Sequence, residues 1–469
     1  MSLRLPSLRL LVPGILAVAA GCAAADANTA EGEDDVRAGE RSILGRPKDY
    51  AADKSLGARS EALHASQKER RAVAWQALGR ILKETTIQEK HVKDGRKRAR
   101  LPVFRTWYGK DDFARMFAKG YGEQSAELRK ARAPMSDATI NALFDWNGTD
   151  RGAWAEDSYL DRVKNADTKP EIQGLGGNAR VSYSPGVLRH VLKNYGTLSK
   201  CMTGVIKDDP AAGPPRPDQF APCFDEEAPA DAAVIKAAWL RADFGGTVPV
   251  TPTTPEALKE RLAGATDQGG WGAGTTQATP DETSIYTVTM SDGSTFRMPG
   301  LHLITKELRD WLWISIWWSP DPDTDFGADR PQEIRALPGP WKNYKMCVAT
   351  AFDEQDSDPT GGFPTGPGSL GDALKAAYAG KGAPSWCSNQ YIERGAHNAQ
   401  TNCIGCHQHA GTELRSEAVL ADERKFPSQG RSKTRQNFPT DYVFAISSPP
   451  EGLGQISQTQ IEHFDTVDR

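Results

Sequence analysis

Three observations predict an α+β fold, with a helical N-terminal region followed by a β-rich region. Apolar residues recur every three or four positions over much of 56–200, as in amphipathic helices. A proline- and acid-rich stretch from Asp208 to Asp231 then interrupts the pattern. Beyond it, short runs of branched and aromatic residues replace the helical period, as expected of strands.

Taken in order, residues 58–90 carry Arg59, Leu63, Ser66, Arg70, Val73, Leu78, Ile81 and Leu82 at helical spacing. Further helices are expected at 111–117 and 137–144, each opened by an acidic cap-like residue, and at 184–192, opened by Ser184 and Pro185. The expected strands are 232–239, 284–290, 311–318 and 344–350, with glycine-rich loops at 262–275 and 357–371. No internal repeat signals a solenoid.

The chain has 469 residues, is 38% hydrophobic and 25% charged, and has a mean hydropathy of −0.55. That is the composition of a globular protein large enough to bury a substantial core. Its first residues differ. Arg4 and Arg9 precede an apolar run from Leu10 to Ala20 that is too short to span a bilayer, and small residues lead to Gly21 and Cys22. This leader resembles the signal of bacterial lipoproteins, which implies that residues 1–21 are removed and that Cys22 is lipidated. Ala23 and Ala24 follow without an aspartate, which points to the outer membrane. Residues 22–55, small and acidic, are expected to form a flexible tether. The folded part is then expected as a mainly helical region, 56–200, and a β-rich region, 232–469. Loss of Arg4 and Arg9 takes the formal charge from −4 to −6. A mildly acidic surface without a basic run is expected to bind neither nucleic acid nor anionic headgroups.

Seven cysteines in an exported chain are informative. Cys22 is assigned to lipid, and Cys403 and Cys406 to the motif described next. Cys201, Cys223, Cys347 and Cys387 remain. Pairing Cys201 with Cys223 and Cys347 with Cys387 closes the shortest loops, although four cysteines allow three connectivities.

Cys403-Ile404-Gly405-Cys406-His407 has the spacing that attaches haem c: two thiols reach the vinyl groups and the adjacent histidine becomes an axial iron ligand. Zinc and a redox dithiol are the alternatives. No second C-x-x-C completes a zinc ribbon. The sixth ligand is open among His302, His397, His463, Met298 and Met346, because no methionine follows His407. His409, only two residues on, is expected to contact a propionate or solvent.

The ordered segments 234–239, 300–306 (with Gly300-Leu301-His302), 311–317 and the haem motif resemble a poorly characterised family of large monohaem bacterial cytochrome c proteins. The resemblance runs from Thr106-Trp107-Tyr108 to Asp441-Tyr442-Val443-Phe444, about residues 100–450. It implies a distal role for His302, as iron ligand or pocket residue. The resemblance implies a further histidine in relatives where this chain has Trp317 or Trp318; if that histidine is their ligand, coordination differs here. Trp311, Trp313 and Trp317 are expected to share a strand face and fill a core. Asp321-Pro322-Asp323-Thr324-Asp325-Phe326-Gly327 matches a calcium loop imperfectly and is expected to be a solvated acidic turn.

Two functional expectations follow. One is an electron carrier held at a membrane, with a redox partner protein. The other is a haem enzyme or sensor of peroxide or gas with an open sixth site.

Overall fold

The structure is a computed structural model that describes residues 41–91, 95–148, 179–201, 227–242, 247–254, 257–258, 275–289, 295–352, 354, 386–393, 402–410, 440–447 and 452–467. Cys22, Cys223, His397 and the 262–274 and 357–371 loops lie outside the described residues. Along the chain run β1 (Arg41–Leu44), α1 (Ser60–Ala65), α2 (Gln67–Leu82), β2 (Glu84–His91), β3 (Gly95–Pro102), α3 (Lys110–Gly122), α4 (Ala126–Ala131), α5 (Asp137–Asp145), β4 (Ala179–Tyr183) and α6 (Pro185–Cys201). Then come β5 (Ala233–Arg241), β6 (Val248–Val250), β7 (Thr276–Ala278), β8 (Thr287–Thr289), β9 (Thr295–Thr305), β10 (Leu312–Trp318), β11 (Tyr344–Ala349), α7 (Cys403–His407), α8 (Phe444–Ser447) and α9 (Leu453–Val467). The fold is α+β.

Local chemistry sets these bounds. The Ser66 hydroxyl caps α2 by accepting from the Glu69 N–H, and the Ser136 hydroxyl caps α5 by accepting from that of Thr139. The helical period expected to reach residue 90 ends at Leu82. Glu84-Thr85-Thr86-Ile87 follows, and its branched residues favour the strand that pairs with β3. Leu312-Trp313-Ile314-Ser315-Ile316-Trp317-Trp318 is buried along its whole length, as a central strand covered on both faces should be.

The main sheet is antiparallel, in the order β11-β10-β9-β5-β4, with β8 added to the start of β9. Of the strand expected at 284–290, only Thr287–Thr289 forms, because residues 281–284 make a turn held by the Asp281 carboxylate and carbonyl. Strand β4, from the part expected to be helical, pairs with β5. The described residues belong to one compact unit, Val36–Arg469.

The expected tether also ends early. Strand β1 pairs with β2, and Tyr50 is buried with its hydroxyl donating to Glu307 at 2.8 Å. On one face of the main sheet, Arg71 of α2 forks onto Asp329 and donates to the carbonyls of Phe326 and Met346. Helix α9, which has no counterpart among the expected elements, packs on α3 and α6, with Phe464 against Tyr121 at 5.3 Å between ring centres. Among the described residues, no helix is long and apolar enough to cross a membrane.

The acidic turn differs from expectation in part. Asp323 pairs with Arg330 and Arg335 at 2.7 and 2.6 Å, and buried Asp325 pairs with Lys345 at 2.8 Å. Asp321 and Asp323 remain exposed, as expected of a solvated turn, and only Asp325 is buried against a protein cation.

Candidate functional site

The sheet register aligns Val181, Lys236, His302, Ser315 and Cys347 in one row, and Tyr183, Val234, Ile304, Trp313 and Ala349 in the next row on the same face. Helix α7 is fixed over this face by its cap. The Asn402 Oδ1 accepts from the Gly405 N–H at 3.1 Å, while its Nδ2 donates to the Phe352 carbonyl at 3.1 Å, just beyond β11. The result is a cavity of about 230 Å³ lined by Lys236, His302, Glu393, Cys403, Cys406 and His407, with Val234, Ile304, Trp313, Val443 and Phe444 among its apolar walls.

The three motif residues thus meet with His302. Cys403 and Cys406 are buried and are not bonded to each other. Burial pushes the Cys403 thiol well above its usual value. His407 packs at a tilt against Trp313, ring centres 4.6 Å apart, and its Nδ1 lies 2.9 Å from the Tyr442 carbonyl. A carbonyl cannot donate, so Nδ1 carries the proton and Nε2 keeps its lone pair for a metal. Burial also pushes His407 down to about 4 and His302 well below its usual value. Both imidazoles are neutral at pH 7, as ligands must be.

Opposite the motif helix, the segment Trp386–Glu393 closes the cavity. Cys347 and Cys387 lie at disulfide distance, their Sγ atoms 2.08 Å apart, which ties this segment to β11. Asn389 donates to the Ser315 hydroxyl and the Ile316 carbonyl, both at 2.9 Å. Gly300 permits this approach, since a Cβ there would sit 2.8 Å from Asn389 Oδ1. The segment thereby presents Glu393, whose Oε2 accepts from the Ser388 hydroxyl at 2.8 Å and stands 4.0 Å from His302 Nε2. Burial raises Glu393 to about 7. Among the described residues, His302 Nε2 has no hydrogen-bond partner.

The other sixth-ligand candidates are elsewhere. Met298 and Met346 are buried away from the cavity, and His463 is exposed on α9. His409 is buried, not solvated, and burial pushes it to about 3. The tryptophans divide. Trp313 lines the cavity against His407, whereas Trp317 packs on Phe326 and Trp386, and Trp341 on Tyr286. Trp311 precedes β10 instead of sharing its face.

Sequence reasoning missed Asn402, Glu393, Lys236 and the ion pair behind Tyr442. Lys306 Nζ lies 2.9 Å from Asp441 Oδ1 and 2.7 Å from Glu227 Oε1, and Lys306 and Asp441 are buried. Asp441 and Tyr442 both have left-handed backbone, φ 47° and 66°, so this pair holds an unfavourable turn at the carbonyl that orients His407.

Among the described residues, no three His, Cys, Asp or Glu side chains group to hold a bare metal ion. The residues present do fit a haem: two buried thiols not joined in a disulfide, one imidazole with its tautomer fixed, and a second imidazole in the same cavity whose Nε2 has no hydrogen-bond partner among the described residues. The cavity volume is just below the roughly 300–1,000 Å³ of ligand pockets, and segments 394–401 and 411–439, which flank α7 in sequence, are outside the described residues. Comparisons with protein-family models, curated proteins and solved structures return no match.

The buried histidines set a pH dependence for the haem-free chain. Burial depresses His190 to about 4 and His409 to about 3, so the unfolded chain binds more protons between pH 6.5 and those values, and stability falls as pH drops through that window. Glu393, raised to about 7, acts in the opposite sense: its contribution is present below 4.5 and is lost as pH rises through 7. His407 and His302, depressed as well, act in the same sense as these two, so the histidines outweigh the one carboxylate and a net loss of stability is expected between pH 7 and pH 4. Urea midpoints across that range measure it, and an unchanged midpoint would refute it.

Proposed function

We propose that this chain is a c-type cytochrome of the bacterial cell envelope, anchored through Cys22 and carrying one haem on Cys403, Cys406 and His407. The observation that carries the reading is the His407 tautomer, fixed by the Tyr442 carbonyl so that Nε2 serves the cavity holding both thiols and His302. Bound there, the haem supplies one-electron redox chemistry. His302 offers the sixth ligand and Lys236 a cation suited to a haem carboxylate, while the apolar walls restrict water. Function is then electron transfer with a redox partner protein in the periplasm.

One observation favours a second reading. The Glu393 carboxylate, held 4.0 Å from His302 Nε2, makes an acid–base pair suited to a small protic ligand such as peroxide if His302 stands off the iron. The absorption and EPR spectra of the loaded protein, with and without carbon monoxide, separate the two. Low-spin haem indifferent to carbon monoxide is expected for the carrier. High-spin or carbon-monoxide-binding haem would overturn the carrier in favour of the open site.

A further inference from the structure

The expectation of a surface without a basic run fails locally. Between Lys90 and Arg100, eleven residues hold six cations (Lys90, Lys93, Arg96, Lys97, Arg98, Arg100) and one acid, Asp94, in a chain whose net charge is −4. Strands β2 and β3 fold this run into a hairpin. The register pairs Thr86 with Arg100, Gln88 with Arg98, and position 90 with position 96.

Paired positions share a face, so Arg98, Arg100 and positions 90 and 96 fall in one row of the hairpin. The opposite face carries buried Ile43, Ile87 and Glu89. Thr86, Gln88, Arg98 and Arg100 are exposed, whereas Lys97, paired with Glu89, is exposed on the other face. One cation is partly offset, because Arg100 lies 3.1 Å from Glu84 while remaining 66% exposed.

The chain path says what this row meets. Strand β1 places Arg41 opposite His91, so the segment coming from Cys22 enters the folded body at the end of the basic hairpin. Only 19 residues separate positions 22 and 41, a reach of about 65 Å at most. A lipid at Cys22 would therefore hold this hairpin near the headgroups at high effective concentration.

We propose that the basic face of the β2–β3 hairpin docks on the anionic phospholipid surface of the membrane that carries the anchor. The proposal rests on the lipid-anchor part of the proposed function. Docking would fix which side of the body faces the bilayer, and so which side is left to a redox partner. Each basic side chain near such a surface contributes about fivefold in partitioning, and the attraction is screened by salt.

The test uses the haem-loaded mature chain, residues 22–469, with Cys22→Ser so that no lipid contributes. It is sedimented with vesicles of phosphatidylcholine alone or mixed with phosphatidylglycerol. Binding to the mixed vesicles only, and release at high salt, is expected. Arg96→Glu, Arg98→Glu and Arg100→Glu together should weaken it by about a hundredfold or more. The same charge change at exposed Lys54, Lys130 and Lys342 should leave most binding intact. Circular dichroism establishes that both triple variants are folded.

Equal binding to both vesicles, no binding, or equal effects of the two triple variants would overturn the proposal. Because the assay omits the anchor, it fails separately from that reading, which radiolabelled fatty-acid incorporation at Cys22 tests.

Discussion

Lys306→Met is expected to destabilise the protein by about 3–5 kcal/mol, the usual result of removing one partner of a buried ion pair. Lys306 and Asp441 are each 2% exposed at the side chain, so water cannot replace the lost cation. Burial already raises the Asp441 carboxyl and Lys306 is the main influence opposing it, so Asp441 would become protonated in the variant. Glu227 is 41% exposed and turns back to solvent at little cost.

The damage extends to the cofactor site. The Asp441–Tyr442 turn has left-handed backbone at two side-chain-bearing residues, and the Tyr442 carbonyl accepts from His407 Nδ1. Loosening the turn weakens that bond and lowers the basicity of His407. A weaker donor stabilises ferric iron less, so the reduction potential of loaded protein should rise. Denaturant titration and a redox titration read the two effects. A variant with unchanged stability and potential would refute this role for the pair.

His302→Ala is expected to convert a low-spin haem into a high-spin one that binds carbon monoxide. The side chain is on the cavity wall and its Nε2 has no hydrogen-bond partner among the described residues, so removal should cost little stability. Coordination, in contrast, is expected to change, because among the described candidates Met298, Met346 and His463 do not line the cavity. Met298→Leu and Met346→Leu should leave the spectrum unchanged. A His302→Ala protein that stays low-spin would show that the sixth ligand is not His302.

Local chemistry was legible in the sequence wherever neighbours along the chain decide the outcome. The β10 run is apolar except at Ser315 and forms a central strand, and Cys403–His407 forms one short helix with both thiols and His407 at its cavity side. Asn402 was legible as well, since an asparagine before a helix is a common N-cap, and it was missed only because the motif drew attention from its flank.

The β2–β3 hairpin was obscured by two averages. A helical period continuing from α2 masked the change at Lys83, and a negative net charge concealed the local basic run. Glu393 and the Lys306–Asp441 pair were not legible at all. His302 and Glu393 are brought together by tertiary packing of distant segments, and 135 residues separate Lys306 from Asp441. Nothing in the composition of either segment announces its partner.

The central claim is covalent haem on Cys403 and Cys406, and the most direct measurement is the intact mass of the denatured protein after expression with a haem-attachment system. One haem per chain, retained through denaturation and lost in the Cys403→Ala, Cys406→Ala double variant, is the predicted result. A chain that gains no mass, or a double variant that keeps the gain, would contradict it.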